Sequence, residues 1–520
     1  MGISSGGHVG NELGIIGSEA GSNGTVTVTG SGSTWTNQAE LYIGNIGTGA
    51  MTISSEAKVN NTAGRIGYIS GARGTVTVSG SEATWENSEY LEVGDRGIGA
   101  LTINGGAVVS NTDGFVGRHK YSSGTAKVTG PGSTWTNSGL LSVGNMANGT
   151  LVIGNGAKVS NDYGYIGRFA GGNGKVTVTG SGSTWTNNKL FIGGTNVKTS
   201  RGIGSLSVAN NAFVKVTDTL RIWDRGTVNL DGGTIECASI DNVSGGTFNW
   251  LNGTLHLTGD LTSNHLSTHG ILSNLHLVSP GKYLQVDGTT TITDKISFVD
   301  TDFVAGAVEN AGHLTAIDST LDCGSGLTNN GKVILIDSTI TGPVNNPAGS
   351  TIDIIGTVTF NGALTGAGGI FGSGSAIING NYAPGDSPAE VPFECSLEMG
   401  DTATLTMELG GNIRGTFDSI AAHGDVALNG ELDIQLLDSF LPTAGDSFTI
   451  IDVAGDLTGE FIGLAEGEIV DSTSALPLMI TYAGGDGNDV VLRTVCVPEP
   501  SSLLLVLLAF ACSLVWRRRR

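Results

Sequence analysis

GTVTVTGSGSTWTN (Gly24–Asn37), GTVTVSGSEATWEN (Gly74–Asn87), GTAKVTGPGSTWTN (Gly124–Asn137) and GKVTVTGSGSTWTN (Gly174–Asn187) are versions of one segment, and they place Trp35, Trp85, Trp135 and Trp185 at intervals of 50 residues. Between them stand degenerate copies, GAMTISSEAKVNN (Gly49–Asn61), GALTINGGAVVSN (Gly99–Asn111) and GTLVIGNGAKVSN (Gly149–Asn161), so the underlying period is 25. Read at that period, Val26, Met51, Val76, Leu101, Ala126, Leu151 and Val176 form one apolar column, and Val28, Ile53, Val78, Ile103, Val128, Ile153 and Val178 form another. Their neighbours Thr25, Thr27, Thr75 and Thr77 are polar, which is the alternation of a strand with one buried face. A third column is an apolar–Gly pair, from Ile43-Gly44 through Val93-Gly94 to Ile192-Gly193. Each unit therefore carries three short strands separated by Gly/Ser/Asn turns.

One such unit cannot bury its own apolar face. Stacking successive units at the strand spacing of about 4.8 Å gives a continuous core and pairs every strand above and below. The expected fold is all-β: a parallel β-helix of triangular section, right-handed because parallel crossovers overwhelmingly are. Asn37, Asn61, Asn87, Asn111, Asn137, Asn161 and Asn187 hold one corner of seven coils. There asparagine suits left-handed turns, and its amides are expected to form a ladder along the stack. Trp35 takes the slot that Val59 fills in the next coil, so the tryptophans are expected inside the core.

Composition agrees. The chain has 520 residues, 84 of them glycine, and only 14% are charged; about 7% glycine and 25% charged residues are usual. Gly, Thr, Ser and Asn are poor in helix interiors. The formal net charge of −22 argues against nucleic-acid binding, since such a body repels phosphate. Cys237, Cys323, Cys395, Cys496 and Cys512 stand far apart, which suggests neither a zinc site nor a disulfide framework.

The expected domains are regular coils over 1–204, irregular coils over 205–380, a β-sandwich-like capping module over 381–496 and a tail over 497–520. The boundary at 381 rests on the turn-rich GNYAPGDSPAE (Gly380–Glu390) and on the longer alternating strands that follow. Val9, Asn11, Ile16 and Gly17 align with Val59, Asn61, Ile66 and Gly67. The first residues thus lie inside a coil, and the native protein is expected to start upstream.

The tail has three parts: Val497-Pro498-Glu499-Pro500, an apolar run from Leu503 to Trp516, and Arg517, Arg518, Arg519 and Arg520. The run is expected to form a short transmembrane helix, with the arginines as a stop-transfer cluster on the cytoplasmic side. This tail resembles the PEP-CTERM sorting signal, and the 50-residue units resemble repeats shared by PEP-CTERM proteins and type V autotransporter passengers. The resemblance implies export, transient anchoring in the inner membrane and processing by an exosortase-type protease. It further implies a final place at the cell surface or in the extracellular matrix.

Catalysis has little support in the motifs. Asn111-Thr112-Asp113 is similar to the Asn-Thr-Asp of polygalacturonases, yet none of their other motifs follows. Gly385-Asp386-Ser387 lacks the Gly-x-Ser-x-Gly frame of a strained nucleophile elbow. GGDGNDVVL (Gly484–Leu492) fits a calcium-binding nonapeptide, but as a single copy it reads as a turn. No cofactor and no metal ligand is expected. The expected function is a non-catalytic adhesin or scaffold whose partners are extracellular polysaccharide or a neighbouring cell surface, with no nucleic acid among them. The alternative is a β-helix polysaccharide lyase or glycoside hydrolase.

Overall fold

In a computed structural model, residues 1–197, 202–242, 244–272, 276–385, 388–470 and 476–495 are described. They divide into two compact units, Met1–Gly324 and Ser325–Arg520.

The first unit is a parallel β-helix. A coil consists of a seven-residue strand such as Arg73–Ser79, a four-residue strand such as Thr84–Asn87, and a short strand such as Tyr90–Val93. Each pairs in parallel with its counterpart one coil away: Val76 lies beside Met51 on one side and Leu101 on the other. The column residues point inward, and Val76, Val78, Leu101 and Ile103 are buried.

The tryptophans are core residues, as their column position requires. Trp35 pairs with Val9 and Val59, and Trp85, Trp135 and Trp185 are fully buried. Their spacing of 50 rather than 25 has a packing cause. The first inward residue of the third strand alternates Gly14, Leu41, Gly64, Leu91, Gly114, Leu141, Gly164, Leu190 up the stack. A Cβ on Gly64 would stand 2.7 Å from Cζ2 of Trp85 and 2.5 Å from Oδ1 of Asn87. The Val/Gly coil thus leaves the space that the Trp/Leu coil fills, and two coils form one packing unit.

The asparagine corner is built in pairs and not as a continuous ladder. Asn61 Nδ2 donates to Asn87 Oδ1 at 2.6 Å, while Asn61 Oδ1 accepts from Trp85 Nε1 at 2.8 Å. Asn111 repeats this with Asn137 and Trp135, and Asn161 with Asn187 and Trp185. The next link differs: Asn87 Nδ2 turns to the Ser110 carbonyl at 3.4 Å. A buried indole N–H needs an acceptor, and the one it takes belongs to the asparagine of the preceding coil. That demand breaks the ladder every second coil.

Past residue 204 the strands lengthen, as in Phe213–Ile222 and Gly226–Asp241. Val216 stands opposite Asn187, ending the asparagine corner. A six-residue helix, Ser263–Thr268, interrupts the strands.

In the second unit, parallel pairing joins Lys332–Ile336 to Thr351–Ile355 and continues well beyond residue 381: Thr404–Leu409 pairs with Glu431–Leu436, and Val426–Leu428 with Leu457–Gly459. Among the described strands of this unit, apart from isolated antiparallel bridges at Gly366–Gly385 and Leu409–Phe417, antiparallel pairing of the kind a sandwich-like module uses joins the last ones. There Asp489–Thr494 lies between Ser447–Val453 and Leu478–Gly484, and covers the edge of the parallel stack. The expected transmembrane helix over Leu503–Trp516 lies outside the described residues. Among those described, no helix is long and apolar enough to cross a membrane.

One buried carboxylate makes the second unit sensitive to pH. Asp418 is 2% exposed, and its oxygens accept the Ala389 and Glu408 N–H groups, each at 2.9 Å. Burial pushes its carboxyl up to about 6, the two backbone hydrogen bonds pull it back, and neighbouring Glu408 raises it further. An unfolded Asp titrates near 3.9, so between those values the folded chain holds the extra proton. Stability contributed below about pH 4 is therefore lost as pH rises through about 6, to the extent of about 3 kcal/mol. Denaturant unfolding followed from pH 4 to 7 should show this fall, and Asp418→Asn should flatten it.

Candidate functional site

The outward residues of the first strand are mostly threonine, Thr25, Thr27, Thr52, Thr75 and Thr77 among them, with Lys127, Val152 and Lys175 in the later coils. The third strand differs. Its outward position reads Tyr42, Arg65, Glu92, Phe115, Ser142, Tyr165, Phe191 and Arg221, each beside the next in parallel register. The glycine that follows this strand in each coil has a left-handed backbone, for example φ +73° at Gly94. The chain then folds back, bringing Tyr68, Asp95, Arg118 and Arg168 to the same row.

The first part of the row is an ionic cluster. Arg65 Nη1 reaches Glu92 at 2.6 Å and Asp95 at 2.9 Å, and its Nη2 reaches Glu40 at 3.1 Å. Arg118 pairs with Glu92, and His119 Nε2 lies 3.2 Å from Asp95. The Arg65 guanidinium stacks on Tyr68 and Tyr90, at 5.3 and 4.9 Å, and Arg118 on Phe115 at 4.5 Å. Glu92 and Asp95 are wholly covered. Burial holds the Asp95 carboxyl above the usual range, with Arg65 and His119 opposing. Burial would raise Glu40 too, but hydrogen bonds from Tyr42 and Tyr90 and the charge of Arg65 bring it below its ordinary value. Burial lowers His119, and Arg118 and Arg96 add to this against the pull of Asp95. Glycoside hydrolysis needs two carboxyl groups facing an open groove; Glu92 and Asp95 instead face Arg65 from beneath the surface.

The second part of the row is aromatic and cationic. The Tyr165 and Phe191 rings stack at 5.2 Å, and Arg168 lies over Tyr165 at 4.3 Å and Phe169 at 4.8 Å. Lys189 Nζ is 3.1 Å from Asp218, and Arg221 Nη2 is 2.6 Å from Asp241. Here the surface opens into a cleft of about 200 Å³ lined by Tyr163, Lys189, Phe191, Asn196, Thr219 and Arg221.

The motifs singled out in the sequence are not brought together. Asn111 is engaged with Trp135 and Asn137, Thr112 donates to the Ser88 carbonyl at 3.0 Å, and Asp113 accepts the Leu140 N–H at 2.9 Å. In GGDGNDVVL, Gly487 N–H bonds to the Gly484 carbonyl at 2.7 Å, and Asp489 accepts from Val453 N–H at 2.9 Å. The first bond closes a turn ahead of the last strand, and the second ties Asp489 to the neighbouring strand Ser447–Val453. Among the described residues, no three His, Cys, Asp or Glu side chains are grouped to hold a metal ion. Cys237, Cys323 and Cys395 are buried free thiols, each raised by burial. Asp386, Ser387, the sorting-motif residues Val497, Pro498, Glu499 and Pro500, and Arg517 to Arg520 lie outside the described residues.

Motif reading misses the third-strand row because its members sit 23 to 30 residues apart in different contexts. One signal was available. Counted by segment, residues 101–204 hold nine Lys and Arg against two Asp and Glu, within a chain whose net charge is −22.

No curated protein matches the chain. Among solved structures, the Haemophilus influenzae Hap adhesin is similar at a TM-score of 0.28 and 12% identity, over 91% of this chain and 64% of that one. This chain therefore spans less than two thirds of that adhesin's length. The description of the PEP-CTERM protein-sorting motif matches residues 497–520. The Val-Pro-Glu-Pro, apolar run and arginine cluster fall inside that match, and a chain whose two units are each built on parallel β pairing carries over residues 497–520 the PEP-CTERM sorting signal, which implies export.

Proposed function

We propose that this protein is a non-catalytic adhesin or scaffold of the cell surface or extracellular matrix, and that it engages polysaccharide through the third-strand row. The observation that carries the reading is the row with its flanks: partly exposed tyrosines, Tyr42, Tyr68, Tyr90 and Tyr163, stand with arginines and Lys189 on one face over the covered rings of Phe115, Tyr165 and Phe191, while the first strand presents mostly threonine and no aromatic ring. Aromatic faces with polar neighbours suit sugar rings, and weak contacts repeated along a stack add up by multivalency. The covered, arginine-bound carboxylates of the ionic cluster favour binding over hydrolysis. An exosortase-type protease would process the tail near Val497-Pro498-Glu499-Pro500, releasing the protein from its transient inner-membrane anchor.

The test is retention of the full chain on a panel of immobilised bacterial and algal polysaccharides, with the eluate analysed for shortened sugars. Retention without shortening is expected. Release of shorter sugars would favour a lyase or hydrolase. Absence of both would reduce the protein to a structural spacer.

A further inference from the structure

The two halves of the third-strand row differ in how their cations are satisfied. In the ionic cluster Arg65 alone meets three carboxylates. In the second half the balance reverses. Arg168 makes no direct ion pair with a carboxylate among the described residues, Asp113 acting on it only through its charge; its Nε is buried without a hydrogen bond, and it rests on two aromatic rings. Lys189 has one carboxylate, with its side chain 38% exposed, and Arg221 has one, with its side chain 33% exposed. Arg168 and Lys189 lie in the segment where the chain carries its local surplus of positive charge, nine Lys and Arg against two Asp and Glu over 101–204, and Arg221 stands beside Phe191 in the following coil.

Geometry brings Lys189 and Arg221 into one cleft, with Arg168 outside its lining. Tyr163 lies beside Lys189, and Phe191 beside Arg221, in adjacent coils. The cleft thus crosses three coils, about 10 Å at the spacing of stacked strands. Its volume of about 200 Å³ is below the roughly 300–1,000 Å³ of an enclosing small-molecule pocket, so it suits one stretch of a longer chain. Phe191 stacks on Tyr165, whose ring also has Arg168 at 4.3 Å, and both rings are covered. Tyr163, Asn196 and Thr219 add hydroxyl and amide groups able to exchange hydrogen bonds with sugar hydroxyls. Lys has three donors and Arg five, so each cation can hold its aspartate and a ligand carboxylate together.

We propose that this cleft binds an acidic polysaccharide, a sugar carboxylate lying between Lys189 and Arg221 and the sugar ring against the partly exposed Tyr163, with the covered Phe191 beneath as the floor of the cleft. The assignment rests on the glycan-engaging reading above, and narrows it to one site and one charge class.

The test measures binding of the full chain to polygalacturonate, to the same polymer after its carboxyl groups are reduced to alcohols, to a neutral glucan and to single-stranded DNA. The variants are Lys189→Met with Arg221→Gln, which keep the aliphatic stem and remove the charge, and Lys158→Met on the second strand as a charge control. Polygalacturonate should bind, more weakly at higher salt. Carboxyl reduction, or the double variant with unchanged melting, should each weaken it by about tenfold or more, and Lys158→Met should leave it within about twofold. Equal binding of the reduced polymer and the glucan, unaffected by the double variant, would overturn the cleft while leaving glycan engagement standing. Failure to bind any glycan would overturn both. DNA held as tightly as polygalacturonate would mark an indiscriminate polyanion site and overturn the sugar assignment.

Discussion

Gly94→Ala is expected to destabilise the regular coils by about 4 kcal/mol, at the upper end of single substitutions. Gly94 has φ +73°, and a Cβ there would lie 2.2 Å from the Ser123 carbonyl oxygen and 2.9 Å from the Gly124 nitrogen. Both obstacles are backbone of the next coil, so no side chain can swing away. The coil would have to lift off its neighbour, breaking parallel pairing on either side. Gly21 separates the two contributions. It has φ +78° with nothing within 4 Å, so Gly21→Ala should cost only the left-handed term of about 1–2 kcal/mol. Denaturant unfolding of both variants, with hydrogen exchange across the neighbouring coils, measures the difference. Equal losses would mean that coil contact at Gly94 is softer than its geometry implies.

Asn111→Ala is the second large effect, at about 2–4 kcal/mol. It strips the acceptor from Trp135 Nε1 and the donor from Asn137 Oδ1, each a hydrogen bond of 2.7–2.8 Å in the core. Orphaning a buried polar group costs about 1–3 kcal/mol, and the cavity adds to it. Trp135→Phe removes the indole N–H, so the double variant should be less destabilised than the sum of the singles. A coupling of about 1 kcal/mol or more is expected. Strict additivity would mean that the Trp–Asn bond does not hold the two-coil unit together.

These two sites mark the limits of what the chain reveals without coordinates. Apolar columns at a period of 25 make sense only if residues one period apart stack, so the parallel coil, its three strands and the inward tryptophans follow from the primary structure. The apolar–Gly column was legible as well, because a turn repeated at every coil leaves its glycine in place. The asparagine corner was legible as a column but not as pairs. Position decides which side chains meet, whereas competition between an indole N–H and an amide for one oxygen is settled only by distance.

The third-strand row was largely hidden. Tyr42, Arg65, Glu92, Phe115, Tyr165, Phe191 and Arg221 share no motif, and their common feature is an outward position on stacked strands. Whole-chain charge hid it further by averaging the basic segment into the acidic remainder. In the second unit, clear alternation in ATLTMEL and ELDIQL marks strands with one buried face, but it carries no information on pairing direction. Thr404–Leu409 and Glu431–Leu436 are parallel, whereas Leu478–Gly484 and Asp489–Thr494 are antiparallel. Periodicity by itself determined which face of each strand is buried and that the coils stack. Tertiary structure decided which atoms bond, which way the last strands run and which distant charges share a surface, because those depend on distances between chain segments that no local pattern encodes.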